Sequence, residues 1–297
     1  MGRLKRINWE NFCLTILFVL LSICILYPIL LVLGISLSSE ESLVTDGYRL
    51  IPKEFSLAAY QYIWSSKGTI FRAYGITIFA TVFGTICSVL TVAMYAYPLS
   101  RKDLKHRKKF AFLVLFTMLF HGGMVPWYIV CTQIFHIQNT IWALILPYMV
   151  DAWNVLVMRT FFMTSIPIAL IEAAKIEGAG EGKIFFKVVL PLSLPGLATI
   201  GLFSTLKYWN DWYLPLMLTT KPALRNLQFL LQSMIANIEM LTENSQYMGG
   251  SLEQLANMPK EGARMALCII SIGPIVLAYP FLQRYFISGL TVGAVKE

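Results

Sequence analysis

Three carboxylates, two lysines and three glycines fall within the twelve residues from Glu172 to Lys183. A glycine-and-lysine run of this kind can cradle a phosphate. The spacing argues against it. The pattern G-x-x-x-x-G-K-[ST] needs glycine where Glu177 stands and Ser or Thr where Ile184 stands. The dinucleotide pattern G-x-G-x-x-G, begun at Gly178, meets Lys183 in place of its last glycine, and no strand-like segment precedes it. The stretch reads instead as helix, break, helix. Ser165 is placed to cap, Pro167 fits a first turn, helix formers run to Glu177, Gly178 stops the helix, and a second one starts near Glu181 and bends at Pro191.

Other reactive types are scattered. The five cysteines are odd in number, lack any CxxC pair and lie in or beside apolar runs, so they read as small apolar residues. His106, His121 and His136 suggest no metal site. His121 with Asp151 is the one loose nucleophile–base candidate, and it lacks a third group to orient it.

These residues must be positioned by an unusually oily chain. Of 297 residues, 57% are hydrophobic and only 13% charged, against roughly 25% charged in soluble domains. Six stretches have about the length needed to cross a bilayer: residues 12–36, 71–99, 110–133, 140–161, 188–218 and 264–286. The expected fold is therefore all-α and integral to a membrane, as one domain over 1–297. The first apolar run is too long for the core of a signal peptide and has no small-residue cleavage site after it. Two connections are long: 38–70, with packed short helices expected, and 219–262, where Leu227, Leu230, Leu231, Met234, Ile235 and Ile238 recur at helical spacing.

Lysine and arginine counts orient the spans. The N-terminus, the 100–109 loop, the 159–187 connection and the tail carry fifteen, and the other connections carry eight. The first set is expected in the cytoplasm, with both termini inside, which makes 162–187 a cytoplasmic loop and 38–70 and 219–262 external. Basic residues that flank spans serve anionic lipid and do not form a nucleic-acid surface.

Within this frame Glu172-Ala173-Ala174, Gly178-Ala179 and Leu190-Pro191 resemble the EAA loop of ATP-binding-cassette (ABC) importer permeases. Val188 stands where the family usually has isoleucine, and Glu177 where many members have aspartate. The resemblance extends over most of the chain and is nearest to the carbohydrate permeases of the maltose-transporter type, in a subgroup linked to complex oligosaccharides. It implies a type I permease fold with six spans and a coupling helix. It also implies a second permease (a heterodimer), two ATPase subunits that hold ATP and Mg, and an extracytoplasmic solute-binding protein. No cofactor is expected in this chain and no catalysis. Glu172, Ala173, Ala174, Gly178, Ala179 and Pro191 would carry the coupling to the ATPase. The location implied is the bacterial cytoplasmic membrane.

Polar groups inside spans are costly and default to functional candidates. Asp151 and Asn154 lie in the fourth expected span. Lys207, Trp209, Asn210 and Asp211 lie in the fifth, where Lys207 and Asp211 are four apart and expected to pair. Asp151, Asn154, Trp209, Asn210 and Asp211 are the candidates to line a substrate pathway, because sugar hydroxyls need donors and acceptors while ring faces stack on aromatics. A permease for another polar solute is the near alternative. An ion-driven carrier would show inverted repeats or matched broken helices, and none is visible in the sequence.

Overall fold

The computed structural model describes residues 9–65, 67–243 and 260–276. The expected span at 264–286 lies outside the described residues beyond 276, as does 244–259 of the second long connection. The chain divides into two compact units, residues 1–67 with 233–273 and residues 68–232 with 274–297.

In the first unit, α1 (Trp9–Ser36) is apolar along its whole length. Gly34 lets the chain fold back, since a Cβ there would collide with the Leu50 carbonyl oxygen. The expected short helices follow as α2 (Glu40–Asp46) and α3 (Ala58–Ser65), with Ser39 Oγ accepting from Ser42 N to cap α2. The Glu40 carboxylate accepts the backbone N–H groups of Glu261 and Gly262, at 3.2 and 3.3 Å. It therefore supplies negative charge at the start of the helix over residues 260–276, where the helix dipole favours it.

The second unit is organised around α4 (Lys67–Ser100). Among the described residues, Asn11–Ser36 and Lys67–Ser100 are the two helices long and apolar enough to cross a bilayer unbroken. Three of the other expected spans are bent. Residues 110–133 become α5 (Arg107–Leu119) and α6 (Met124–Ile129), which runs on as a π-helical turn, Val130–Ile134, with a bend of 112° between the two arms. Gly123, at φ 89°, makes that corner. Residues 140–161 become two 3₁₀ turns (Ile141–Leu144, Leu146–Tyr148) and α7 (Ala152–Ser165), bent by 50° where extended Asp151 caps α7.

The remaining segment carries α8 (Ile168–Ile176) and α9 (Glu181–Ile184), extended by a π turn (Phe185–Val189) and a last short helical turn, α10 (Leu190–Leu192). α11 (Leu194–Trp209) then leaves at 81°. Pro195 has no N–H to continue the ladder through that break. The expected 188–218 span thus ends at Trp209 and resumes as α12 (Tyr213–Leu218). The helical spacing read in the second long connection appears as α13 (Leu227–Glu243), with Leu227, Leu230 and Leu231 buried.

Small residues let these helices approach closely, the usual device where lipid offers no hydrophobic driving force. A Cβ on Gly84 of α4 would meet the Tyr208 ring at 2.6 Å, and one on Gly196 of α11 would meet Phe161 at 2.8 Å. Ser88 and Ser204 hydroxyls bond across the α4–α11 seam at 3.2 Å. The core beside it comprises Val92, Ala93 and Ala96 of α4, Val155 and Met158 of α7, Ile184, Val189 and Ile200.

Candidate functional site

The stretch that opened the sequence forms the turn between α8 and α9. α8 starts two residues later than expected. Pro167, extended, precedes Ile168, while Ser165 closes α7 and makes no side-chain cap for α8. α8 ends in a Schellman closure. Ala179 N donates to Ala174 O at 2.9 Å and Gly178 N to Lys175 O at 3.0 Å. Gly178 holds φ 78° with open space around its α-carbon. Glycine is required there by backbone conformation and not by a crowding neighbour.

The turn has two faces. Ile171 is buried, and Ala174 and Ala179 pack against the core. Glu172, Ala173, Gly178 and Pro191 are exposed. Of the isoleucines and leucine of α8, only Ile171 faces inward, while Ile168, Leu170 and Ile176 are exposed at 50%, 44% and 88%. This leaves a helix with a small-residue, carboxylate-bearing outer face and an apolar rim.

Charges around the turn are paired. Lys175 Nζ lies 2.8 Å from Glu181 Oε1 and 3.1 Å from Asp103 Oδ2. Arg101 grips Asp103 through both Nε and Nη2, at 3.1 and 2.8 Å. Tyr97 donates its hydroxyl to Glu181 at 2.8 Å. Hydrogen bonds from Arg101, then from Lys175, hold the Asp103 carboxyl well below the usual carboxylate range. The Glu181 bond raises the Lys175 ammonium above its ordinary value. Sequence reading missed Asp103 and Glu181 as partners of Lys175, and Tyr97 and Arg101 as the groups that bond those carboxylates.

The intraspan candidates separate. Lys207 does not pair with Asp211. Its ammonium meets Asp151 Oδ2 at 2.8 Å and lies over the Tyr148 ring, 4.6 Å from the centroid. The reason is that α11 ends at Trp209, so the four-residue face relation stops before Asp211. Asp211 is buried and caps α12, with Oδ1 accepting from Tyr213 N and Leu214 N, both at 3.1 Å, and from the Tyr148 hydroxyl at 3.2 Å. Its carbonyl accepts from the buried Asn226 side chain. Asn154 and Trp209 are also buried, and exposed Asn210 turns its amide back to Leu206 O at 2.9 Å.

Asp151 alone of these candidates lines the cavity of about 670 Å³ between α4, α5 and the start of α7. Thr91, Tyr95, Thr117, His121 and Trp153 line it with Asp151. The wall therefore offers hydroxyls, a carboxylate, an imidazole and two aromatic faces, a mixture suited to a polyhydroxylated solute. Periodicity did not single out these positions, because they come from three separate helices.

Residues 105–292 match the family model described as binding-protein-dependent transport system inner membrane component. The chain belongs to that family. Permeases of this kind are membrane subunits of ABC transport systems and not enzymes. The chain is 39% identical over 275 residues to the polygalacturonan/rhamnogalacturonan transport system permease protein YtcP of Bacillus subtilis, covering 92% of this permease and 93% of that protein. It is 29% identical over 294 residues to the arabinooligosaccharides transport system permease protein AraQ of Halalkalibacterium halodurans, covering 96% of each. Among solved structures, a chain of a bacterial ABC transporter involved in the import of the acidic polysaccharide alginate matches with a TM-score of 0.79 and 29% identity. That match covers 96% of the permease and the whole of the other chain. The fold is accordingly the all-helical type I ABC permease fold.

Proposed function

We propose that this permease carries an oligosaccharide across the bacterial cytoplasmic membrane, handed over by a solute-binding protein and driven by ATP hydrolysis on separate subunits. It pairs with a second permease, and two ATPase subunits bind ATP and Mg. Both termini and the 162–187 loop face the cytoplasm, on the strength of the lysine and arginine bias. α8 docks on the ATPase, with Glu172, Ala173, Ala174, Gly178 and Ala179 shaping the contact and Pro191, in the short turn before the bend at Pro195, closing the loop behind it. The observation that carries this reading is the form of the turn. A left-handed glycine closes a short helix whose outer face carries small side chains and carboxylates within an apolar rim, which lets a partner backbone approach closely.

For the substrate route, we assign contact to Asp151, which lines the cavity. Asn154, Trp209 and Asp211 are buried and Asn210 lies outside the cavity wall, so these four serve the bundle that holds Asp151. The relatives named for polygalacturonan, arabino-oligosaccharides and alginate support an oligosaccharide substrate. The test is purification of the tagged permease from its own cell, followed by ATP hydrolysis with a panel of oligogalacturonides and arabino-oligosaccharides. The reading expects ATPase subunits in the complex and hydrolysis raised by at least one member of the panel together with the binding protein. A permease that purifies with no ATPase subunit contradicts it.

A further inference from the structure

The Gly178 turn is tied to α4 by more charge pairing than its stability needs. Asp103 and Glu181 are each 56% exposed and Lys175 40% exposed. Ion pairs that exposed contribute little to folding. Their geometry is nevertheless specific. Lys175 precedes Gly178 and Glu181 follows it, so their contact spans the turn and fixes α8 against α9. The same two side chains reach Asp103 and the Tyr97 hydroxyl, at and just beyond the end of α4. Arg101 closes the set, gripping Asp103 and lying 3.8 Å from Glu181. Beneath the charges, the buried Tyr97 ring packs edge-on to Phe162 of α7 and tilted against Phe185, at 6.3 and 5.3 Å between centroids. Two cations and two carboxylates thus neutralise one another, while Glu172 and Glu177 stay outside the set, exposed.

We propose that Tyr97, Arg101, Asp103, Lys175 and Glu181 form a latch that makes the Gly178 turn and the end of α4 one moving body, so that a force on α8 is delivered to the long helix α4. The proposal rests on the reading of α8 as the docking helix. Without the latch, α8 is held to the core by Ile171, Ala174 and Ala179 alone, with no charge-assisted bond to α4. With it, displacement of α8 is passed through charge-assisted hydrogen bonds to a 34-residue helix. The members are positioning residues: none needs to touch substrate or nucleotide.

The test uses the full complex with its partner permease and ATPase subunits, with the native cysteines replaced and spin labels at Lys105 and Glu177. The distance between labels is read by pulsed electron resonance, nucleotide-free and after trapping with MgATP and vanadate. In the wild-type background the latch predicts one unchanged distance in both states. Lys175→Met and Asp103→Asn should each release it, shifting the distance between states by about 2 Å or more, the scale of helix displacements in switching proteins. Lys175→Arg, which keeps the charge, should restore the fixed distance. A wild-type distance that changes as much as in the variants overturns the latch, as does a distance that stays fixed in both variants. Loss of the ATPase subunits from the wild-type complex overturns the docking reading instead, and the latch with it.

Discussion

The charges around the Gly178 turn and those around Lys207 share one distance, a lysine–carboxylate contact of 2.8 Å. They differ in what stands behind the contact. At the turn, the partners are side chains on exposed surface, bonded mainly to one another. In the spans, Asp151 and Asp211 are fastened to backbone: Asp151 caps α7 through Asn154 N, and Asp211 caps α12 through two N–H groups. One cluster adds little to the stability of the fold and ties α8 to the end of α4. The other is part of how broken helices restart inside an apolar chain, where unpaired backbone groups are expensive. The same chemistry therefore serves motion in one place and architecture in the other.

This contrast orders the substitutions. Asp211→Ala should be the most damaging. It strips two N–H groups and the Tyr148 hydroxyl of their acceptor in a buried place, a loss of about 2–4 kcal/mol from the cap and the orphaned donors together. Thermal melting in detergent should fall by several degrees, and Asp211→Asn, which keeps an acceptor oxygen, should recover most of it. Lys207→Met comes next. It leaves Asp151 half-buried without its cation, and because the pair is partly exposed the cost is held to about 1–2 kcal/mol. The double variant Asp151→Asn/Lys207→Met should melt nearer the wild type than Lys207→Met does. A double variant as unstable as the sum of the singles would break the comparison.

At the turn, Gly178→Val places a β-branched residue at φ 78° and should cost about 1–2 kcal/mol locally. Its larger effect should be functional: assembly retained, with uptake per ATP hydrolysed falling several-fold. The smallest stability effect is expected for Asp103→Asn, with melting unchanged within error. The pH dependence follows the same logic. Because the folded Asp103 carboxyl is held below its ordinary value by Arg101 and Lys175, its contribution is complete above the ordinary carboxylate pKa. It is lost only as pH falls through the lower folded value. The small difference in melting between the wild type and Asp103→Asn should therefore stay constant from neutral to mildly acidic pH.

The sequence exposed one of these regions better than the other, for a physical reason. The Gly178 turn is local: helix formers, a glycine at the closing position and a restart within a few residues, all visible in order. The latch is not, because Lys175 and Asp103 are 72 residues apart and meet only when α8 folds under the end of α4. The Lys207–Asp211 pairing was the wrong local inference. Four-residue spacing pairs side chains only while the helix lasts, and α11 stops at Trp209. Its true partner, Asp151, is 56 residues away. The apolar stretches marked the helices but not their corners at Gly123, Asp151 and Pro195, where single residues redirect the chain. The cavity walls from α4, α5 and α7 were likewise invisible until those helices were placed side by side.

The account turns on α8 meeting an ATPase, and a photo-crosslinking side chain placed at Ala173 tests that contact directly. Ala173 is exposed on the outer face of α8, and the substitution touches none of the latch. On illumination of membranes from cells expressing the full transporter, the account predicts one major adduct, between this permease and a nucleotide-binding subunit, formed in the intact complex. Adducts to lipid or to another integral membrane protein alone, with the ATPase subunits present and uncrosslinked, would contradict it.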